Sequence, residues 1–448
     1  MIQTKWLKKQ ADKVRKVDFI DPTYYRMYGV KRGLRNDNGT GVLVGLTTIG
    51  NVHGYVMNEG EKQPIPGELY YRGINVQDIA DADKKEHRFG YEETAYLLLF
   101  GALPTARELV EWKNMIGAER RLSDGFKESA ILHHPPVDLM NALARAVLFA
   151  YAFDAGEPED VTLETCLAQS VELIGSLPTM AAYAYQAKNH YHNGASLMLR
   201  NPDPKKSTSE NILMLTREDG KYTRLEAETL DLALILHAEH GGGNNSSFTT
   251  HVVTSARSDI YSSVAASILS LKGSRHGGAN LRVMRQMAEI KKNVNWRKAE
   301  EVGRYLLKIV DKKAGDRTGL IYGLGHAVYT VSDPRAQLLK EKARALAKEK
   351  GREDEMALFE LIETMGPGII RKRHPAAKDV CANVDLYSGF VYEMLNIPLD
   401  LYTPLFAVSR CVSWCAHRME ELVNEGPIIR PAYKPIFHPC QYVKLKDR

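Results

Sequence analysis

His237-Ala238-Glu239-His240-Gly241-Gly242-Gly243-Asn244-Asn245-Ser246-Ser247 and, about forty residues later, Gly273-Ser274-Arg275-His276-Gly277-Gly278-Ala279-Asn280 decide how this chain is read. Each stretch sets histidine among glycines. Glycine lets the backbone approach a ligand closely and make turns closed to other residues. Histidine is the side chain most easily switched between proton donor and acceptor near neutral pH. The pairing points to a small-molecule site that moves protons rather than to a packed core. Apolar residues recur at helical spacing over residues 230–240 and again over 281–290, so the first cluster ends a predicted helix and the second precedes one.

Working outward, the same periodicity predicts helices over residues 92–100, 108–115, 137–151, 162–187, 259–271, 297–310 and 335–350. Pro135-Pro136 and Pro178 mark expected starts or bends, and residues 201–209, with two prolines and several charges, read as a surface loop. Residues 40–71 differ. Val42, Val44, Leu46, Thr48 and Ile49 favour strands, with a turn expected over 50–54. The first forty or so residues are basic and amphipathic (Trp6, Leu7, Val14, Val17), interrupted by Asp12 and Asp18. They read as a surface helix rather than a targeting segment. The fold class is therefore mainly α with a few short N-terminal strands.

At 448 residues the chain exceeds one ordinary core. A net charge of +5 is too diffuse for nucleic acid and suits a solvated surface, or a field that attracts anionic substrates. Five cysteines (Cys166, Cys381, Cys411, Cys415, Cys440) lack zinc-site spacing, and their odd number fits a reducing cytoplasm. Cys411 and Cys415 read as small core residues. No apolar run is long enough to cross a membrane.

Two further motifs follow the histidine clusters: Gly323-Leu324-Gly325-His326-Ala327-Val328-Tyr329 with Ser332-Asp333-Pro334-Arg335, and Asn383-Val384-Asp385-Leu386-Tyr387-Ser388-Gly389. In this order the four segments resemble citrate synthase. The resemblance runs from Gly67-Glu68-Leu69-Tyr70-Tyr71-Arg72-Gly73 to Ile429-Arg430-Pro431. It implies a two-domain helical fold, with a large domain over 1–279 and 387–448 and a small one over 280–386. It also implies a homodimer that condenses acetyl-CoA with oxaloacetate, in which Arg430 reaches the neighbouring subunit's site. No tightly bound cofactor or metal is expected. Coenzyme A enters as the thioester co-substrate.

Making a carbon nucleophile from a thioester methyl group needs a base at the methyl and a donor at the carbonyl oxygen. The resemblance assigns these roles to Asp385 and His276. A carboxylate shielded from water is the stronger base, and a helix N-terminus disfavours imidazolium at His276. Read alone, Asp385 is more readily a helix cap, and the surrounding Asn-Val-Asp-x-x-Ser-Gly pattern reverses that. His326 is implied as the donor to the oxaloacetate carbonyl. The polyanionic substrate needs cations of fixed geometry, which the arginine fork supplies. Arg335, Arg410 and Arg430 match the family's three substrate arginines. A structural salt bridge competes for Arg410. His240 and Phe406 match further substrate contacts, and His237 reads as support. Leu320, Ile321 and Gly323 match the coenzyme's adenine cradle, and Lys378 and Asn383 its polar arm. The Arg371-Lys372-Arg373 run departs from the family's spacing and is left outside the site. Three rivals remain: a metalloenzyme using His237, Glu239 and His240, an inactive homologue acting as a binding protein, and a 2-methylcitrate synthase taking propionyl-CoA.

Overall fold

The computed structural model describes residues 4–36, 40–58, 61–375, 378–437 and 439–447. Residues 1–3, 37–39, 59–60 and 376–377, which touch the expected N-terminal helix, strand region and small domain, lie outside the described residues, as do 438 and 448. The chain forms two compact units, Met1–Leu46 with Ile429–Arg448, and Thr47–Ile428.

In the first unit the amphipathic stretch forms helix α1 (Thr4–Val17), whose Trp6, Leu7, Val14 and Val17 are exposed. The described C-terminal residues carry no helix or strand apart from a short turn at Leu445–Asp447, and Lys434 lies over the Tyr28 ring.

The second unit opens with an antiparallel meander, β1 (Gly50–Asn58), β2 (Glu61–Tyr71) and β3 (Ile74–Asn75). Gly50 pairs with Tyr71 and Val52 with Leu69, and a register shift follows His53. This corrects the expected strand at 42–49 and turn at 50–54. β-propensity reflects packing on a half-buried surface, and Leu43 and Leu46 are 96% and 98% exposed. Gly50 is instead held in the ladder by a close approach: a Cβ there would lie 2.6 Å from the Glu239 side chain. Gly67 sits likewise against Ser332, where a Cβ would come within 2.2 Å of the carbonyl oxygen.

Helices follow: α2 (Val76–Glu86), α3 (Tyr91–Phe100), α4 (Ala106–Ala118), α5 (Leu139–Ala150), α6 (Leu163–Asn193), α7 (Thr208–Thr216), α8 (Arg224–His237), α9 (Asn245–Ser255), α10 (Ile260–Lys272) and α11 (Ala279–Asn293). Then come α12 (Ala299–Val310), α13 (Pro334–Lys350), α14 (Glu353–Arg373), α15 (Val384–Met394) and α16 (Tyr402–Asn424). The mainly helical reading holds, as do most predicted helices. Thr105, Ser207 and Thr223 start α4, α7 and α8 with reciprocal capping boxes.

Two local expectations need correction, the 201–209 loop and the end of α8. Pro178, expected as a helix start or bend, lies inside the 31 residues of α6 rather than at its start. Its neighbours Leu177, Met180 and Ala181 are buried, and this packing offsets the backbone bond that proline forgoes. The 201–209 loop is tied down: the buried Arg120 guanidinium donates to the Asp203 and Lys206 carbonyls, and α7 starts within the predicted loop. Helix α8 ends at His237, not 240. The Tyr71 hydroxyl donates to the Ile235 carbonyl at 2.8 Å, and the Glu239 carboxylate accepts from Gly241 N–H.

All five cysteines are free, with Cys411 and Cys415 buried in α16. No helix among the described residues is long and apolar enough to cross a membrane.

Candidate active site

The site is built from helix ends and the loops between them, all within the second unit. The 323–325 loop zips onto residues 381–383. Leu324 and Ala382 form an antiparallel bridge, Gly325 N–H donates to the Cys381 carbonyl, and Asn383 N–H donates to the Gly323 carbonyl. Asn383 caps α15, accepting from Asp385 N–H through Oδ1 and donating through Nδ2 to the Gly325 carbonyl at 2.8 Å. One side chain thus fixes the loop carrying His326 against the helix carrying Asp385. The cap considered for Asp385 belongs to Asn383, and the Asp385 carboxylate, in the first turn, makes no hydrogen bond among the described residues.

Asp385 lies in a setting where burial outweighs the nearby Arg335 charge, pushing its carboxyl up to about 6. It is ionised at neutral pH and more basic than an exposed aspartate. His326 Nδ1 accepts from both Val328 N–H and Tyr329 N–H at 3.1 Å. A ring nitrogen that accepts two bonds carries no proton, so the neutral ring holds its hydrogen on Nε2 as a donor. Burial and Arg335 hold this imidazole down to about 4. The ring stacks on Tyr329 at 4.7 Å and meets the His240 ring edge-on at 5.0 Å.

His276 occupies the turn before α11, its Nε2 3.3 Å from Ser246 Oγ, which also accepts from Trp414 Nε1–H. It too is held down to about 4 and is neutral. The direction matches the expected helix-end effect, but burial and the Arg410 charge cause it. Burial likewise pushes His240 and His237 well below the ordinary imidazole range. His240 Nε2 and both His237 ring nitrogens are buried with no hydrogen-bond partner among the described residues. His237 packs 4.4 Å from the Phe406 ring.

Two guanidinium groups face this set. Arg335, in the first turn of α13, is held by the buried Asp333 carboxylate through Nε (3.0 Å) and Nη2 (2.7 Å), while Asp333 also caps the helix. Arg410 is fully buried on α16. Its Nε donates to the His237 carbonyl at 2.7 Å, but Nη1 and Nη2 have no hydrogen-bond partner among the described residues. Burial brings it down to about 10. Among the described residues no salt bridge ties it within hydrogen-bond reach, although the Glu239 charge acts on it from further away. The arrangement couples a raised-pKa carboxylate, neutral histidines and two buried cations: the Arg335 charge acts on Asp385, His326 and His240, and that of Arg410 on His276 and His240. Such a set can form and hold an enolate beside a polyanion.

Other expected contacts are placed less directly. Gly323, at φ +86°, packs so close to Leu386 that a Cβ would meet its side chain at 2.8 Å, so packing already explains this glycine. The Leu320 carbonyl accepts from Gln286. Ile321 is buried and Leu320 exposed. Lys378 lies in the loop before α15. Arg371 and Arg373, in the last turn of α14, pair with Asp379 and Asp311. Arg430 is an exposed residue of the first unit. The metal reading of His237, Glu239 and His240 fails, because Glu239 is committed to Ser413, His417 and Gly241 N–H. Sequence reasoning gave no role to Asp333, Ser246 or Tyr329. Asp333 next to Pro334-Arg335 was the one local signal, as a cap before a proline at the first helical position.

The family model described as "Citrate synthase, C-terminal domain" matches residues 38–432. The chain belongs to the citrate synthase family. It is 37% identical over 371 residues to a citrate synthase of Haloferax volcanii, spanning 82% of this chain and 88% of that protein. It is 30% identical over 376 residues to 2-methylcitrate synthase 2 of Corynebacterium glutamicum, spanning 82% and 88%. It resembles the Thermoplasma acidophilum citrate synthase in its ternary complex with carboxymethyl coenzyme A and oxaloacetate, with a TM-score of 0.75 and 26% identity over 93% of this chain and 99% of that one.

Proposed function

We propose that this citrate synthase family member condenses acetyl-CoA with oxaloacetate and water, using Asp385, His276 and His326 as its chemical groups. Asp385 removes a proton from the acetyl methyl group while His276 donates a hydrogen bond to the thioester oxygen, giving an enolate held by that bond. The enolate carbon attacks the oxaloacetate ketone, whose oxygen takes the proton from His326 Nε2. Water then cleaves the thioester of citryl-CoA, releasing citrate and CoA. Arg335, Arg410 and His240 hold oxaloacetate, with Phe406 beside the acetyl group. Arg430 of a second subunit completes the pocket in a homodimer. Coenzyme A lies along Leu320, Ile321 and Gly323, with Lys378 and Asn383 near its polar arm. Residues 280–386 act as a small domain that closes on the rest.

The observation that carries this reading is the buried Arg410, whose two Nη groups have no hydrogen-bond partner among the described residues, beside neutral His240. A cation kept dry at that cost fits an anionic ligand with paired oxygens. The likeness to a 2-methylcitrate synthase supports a second reading, with propionyl-CoA as acyl donor, because one methyl group separates the two pockets. Parallel turnover of acetyl-CoA and propionyl-CoA with oxaloacetate, with products identified by mass, tests both. A kcat/KM favouring acetyl-CoA supports the first reading, and one favouring propionyl-CoA replaces it with the second.

A further inference from the structure

A second histidine cluster lies on the far side of Glu239 from His240, outside the proposed chemistry. His251 on α9 and His417 on α16 face each other, with Nε2 of the first 3.1 Å from Nδ1 of the second. Glu420 Oε2 lies 3.6 Å from that Nδ1, and the three atoms fall within 4.8 Å of one another. The outward nitrogens are both committed to carboxylates: His251 Nδ1 to Glu421 at 2.7 Å and His417 Nε2 to Glu239 at 3.2 Å. Carboxylates only accept, so both outward nitrogens carry hydrogens. In neutral rings the two facing nitrogens are then both lone pairs. Such a contact requires a cation between them, either a proton or a metal ion.

Glu420 supplies an independent sign. Its Oε1 accepts from Thr48 N–H and Oγ, but Oε2, 3.6 Å from His417 Nδ1, is buried with no hydrogen-bond partner among the described residues, on a side chain only 9% exposed. It is aimed at the same point as the two nitrogens. A tetrahedral ion bound at about 2.0–2.1 Å sets its ligands roughly 3.3 Å apart, and the 3.1 and 3.6 Å separations bracket that value. Carboxylate bonds to the outer nitrogens are also what orient histidines toward a bound metal. Gly242 passes over both rings, where a Cβ would lie 3.3 Å from His417 and 3.7 Å from His251 Nε2.

We propose that His251, His417 and Glu420 form a site for a borderline dication of the Zn2+ type, with water as the fourth ligand. The ion takes no part in condensation. It joins α9 to α16 and braces Glu239, the residue before His240. Three carboxylates, Glu239, Glu420 and Glu421, surround the two rings, a concentration of negative charge that suits a dication.

The test uses the full chain stripped with a chelator. Titration with Zn2+ by calorimetry should show one tight equivalent per chain, and Zn2+ should raise the melting temperature. Co2+ added instead should give the visible absorption of a four-coordinate ion. His251→Gln and Glu420→Gln should weaken Zn2+ binding about tenfold or more and remove the Co2+ band. The proposal is overturned by the absence of a stoichiometric Zn2+ equivalent, by a six-coordinate Co2+ spectrum in the unaltered chain, or by unchanged affinity in both variants, which would assign the ion to surface histidines. Failure of these experiments would leave the condensation reading untouched, since no step there uses these residues.

Discussion

Replacing Arg410 by methionine separates a substrate group from a structural one. The guanidinium is fully buried, and burial lowers its pKa from 12.5 to about 10. At about 1.4 kcal/mol per pKa unit this corresponds to roughly 3 kcal/mol of cost to the free protein. Methionine removes that cost and also removes the Nε bond to the His237 carbonyl, a charged hydrogen bond contributing about 1.5–3 kcal/mol. The two nearly cancel, so the ligand-free variant should melt within a few degrees of the parent. Loss of a structural salt bridge would instead cost about 3–5 kcal/mol. Binding should respond very differently. A desolvated charge pair with a substrate carboxylate is lost, at roughly 3 kcal/mol or about a hundredfold in affinity. Oxaloacetate at a hundred times the parent's Kd stabilises the parent by about 2.7 kcal/mol but such a variant by only about 0.4 kcal/mol. With about 2.1 cal/mol/K per residue over 448 residues, the parent's melting temperature should rise about 3 °C and the variant's hardly at all. Scanning calorimetry with and without oxaloacetate reads both effects. A strongly destabilised ligand-free Arg410→Met, or one that keeps the full oxaloacetate shift, would refute the reasoning.

Three further outcomes follow from the same geometry. The carboxylate form of Asp385 is the active one and its pKa is raised to about 6, so kcat/KM should fall as pH drops through about 6. His276 and His326, near 4, should add nothing to that limb, and a limb near the ordinary 3.8 would contradict the assignment. Asn383→Ala removes a cap and the donor to the Gly325 carbonyl, which should cost about 1–2 kcal/mol of stability. It should also lower kcat more than it raises KM, because His326 and Asp385 lose their common clamp, and a pure KM effect in steady-state kinetics would argue otherwise. Co-expressed Arg430→Ala and His276→Ala subunits, each inactive alone, should recover activity in hybrid dimers if Arg430 serves the neighbouring site. Verified hybrids without activity would return Arg430 to its own subunit.

The helices and the main motifs were legible because their signals are local. Apolar spacing, caps and the Gly-His and Asn-x-Asp segments each lie within a few residues of sequence. The strands were misplaced because Leu43, Val44 and Leu46 are exposed and find no half-buried surface to pack on, while Gly50 and Gly67 enter the ladder for close contacts with Glu239 and Ser332. The electrostatic frame was not legible at all. Glu239 meets His417 across 178 residues of sequence, and Ser246 meets His276 and Trp414 from three separate elements. Such pairs are set by how α8, α9 and α16 pack, and no window of sequence contains them. The neutral state of His276 was anticipated for a different cause, a helix end, whereas burial and Arg410 supply it.

The central claim is that Asp385 is the base that makes the carbon nucleophile. Asp385→Asn preserves shape and the backbone bond from its N–H to Asn383 while removing the basic charge. Turnover of acetyl-CoA and oxaloacetate to citrate, followed by CoA release and by direct detection of citrate, measures the effect. The account predicts a fall in kcat of about a hundredfold or more with oxaloacetate affinity nearly unchanged, and near-parental turnover in a correctly folded variant would contradict it.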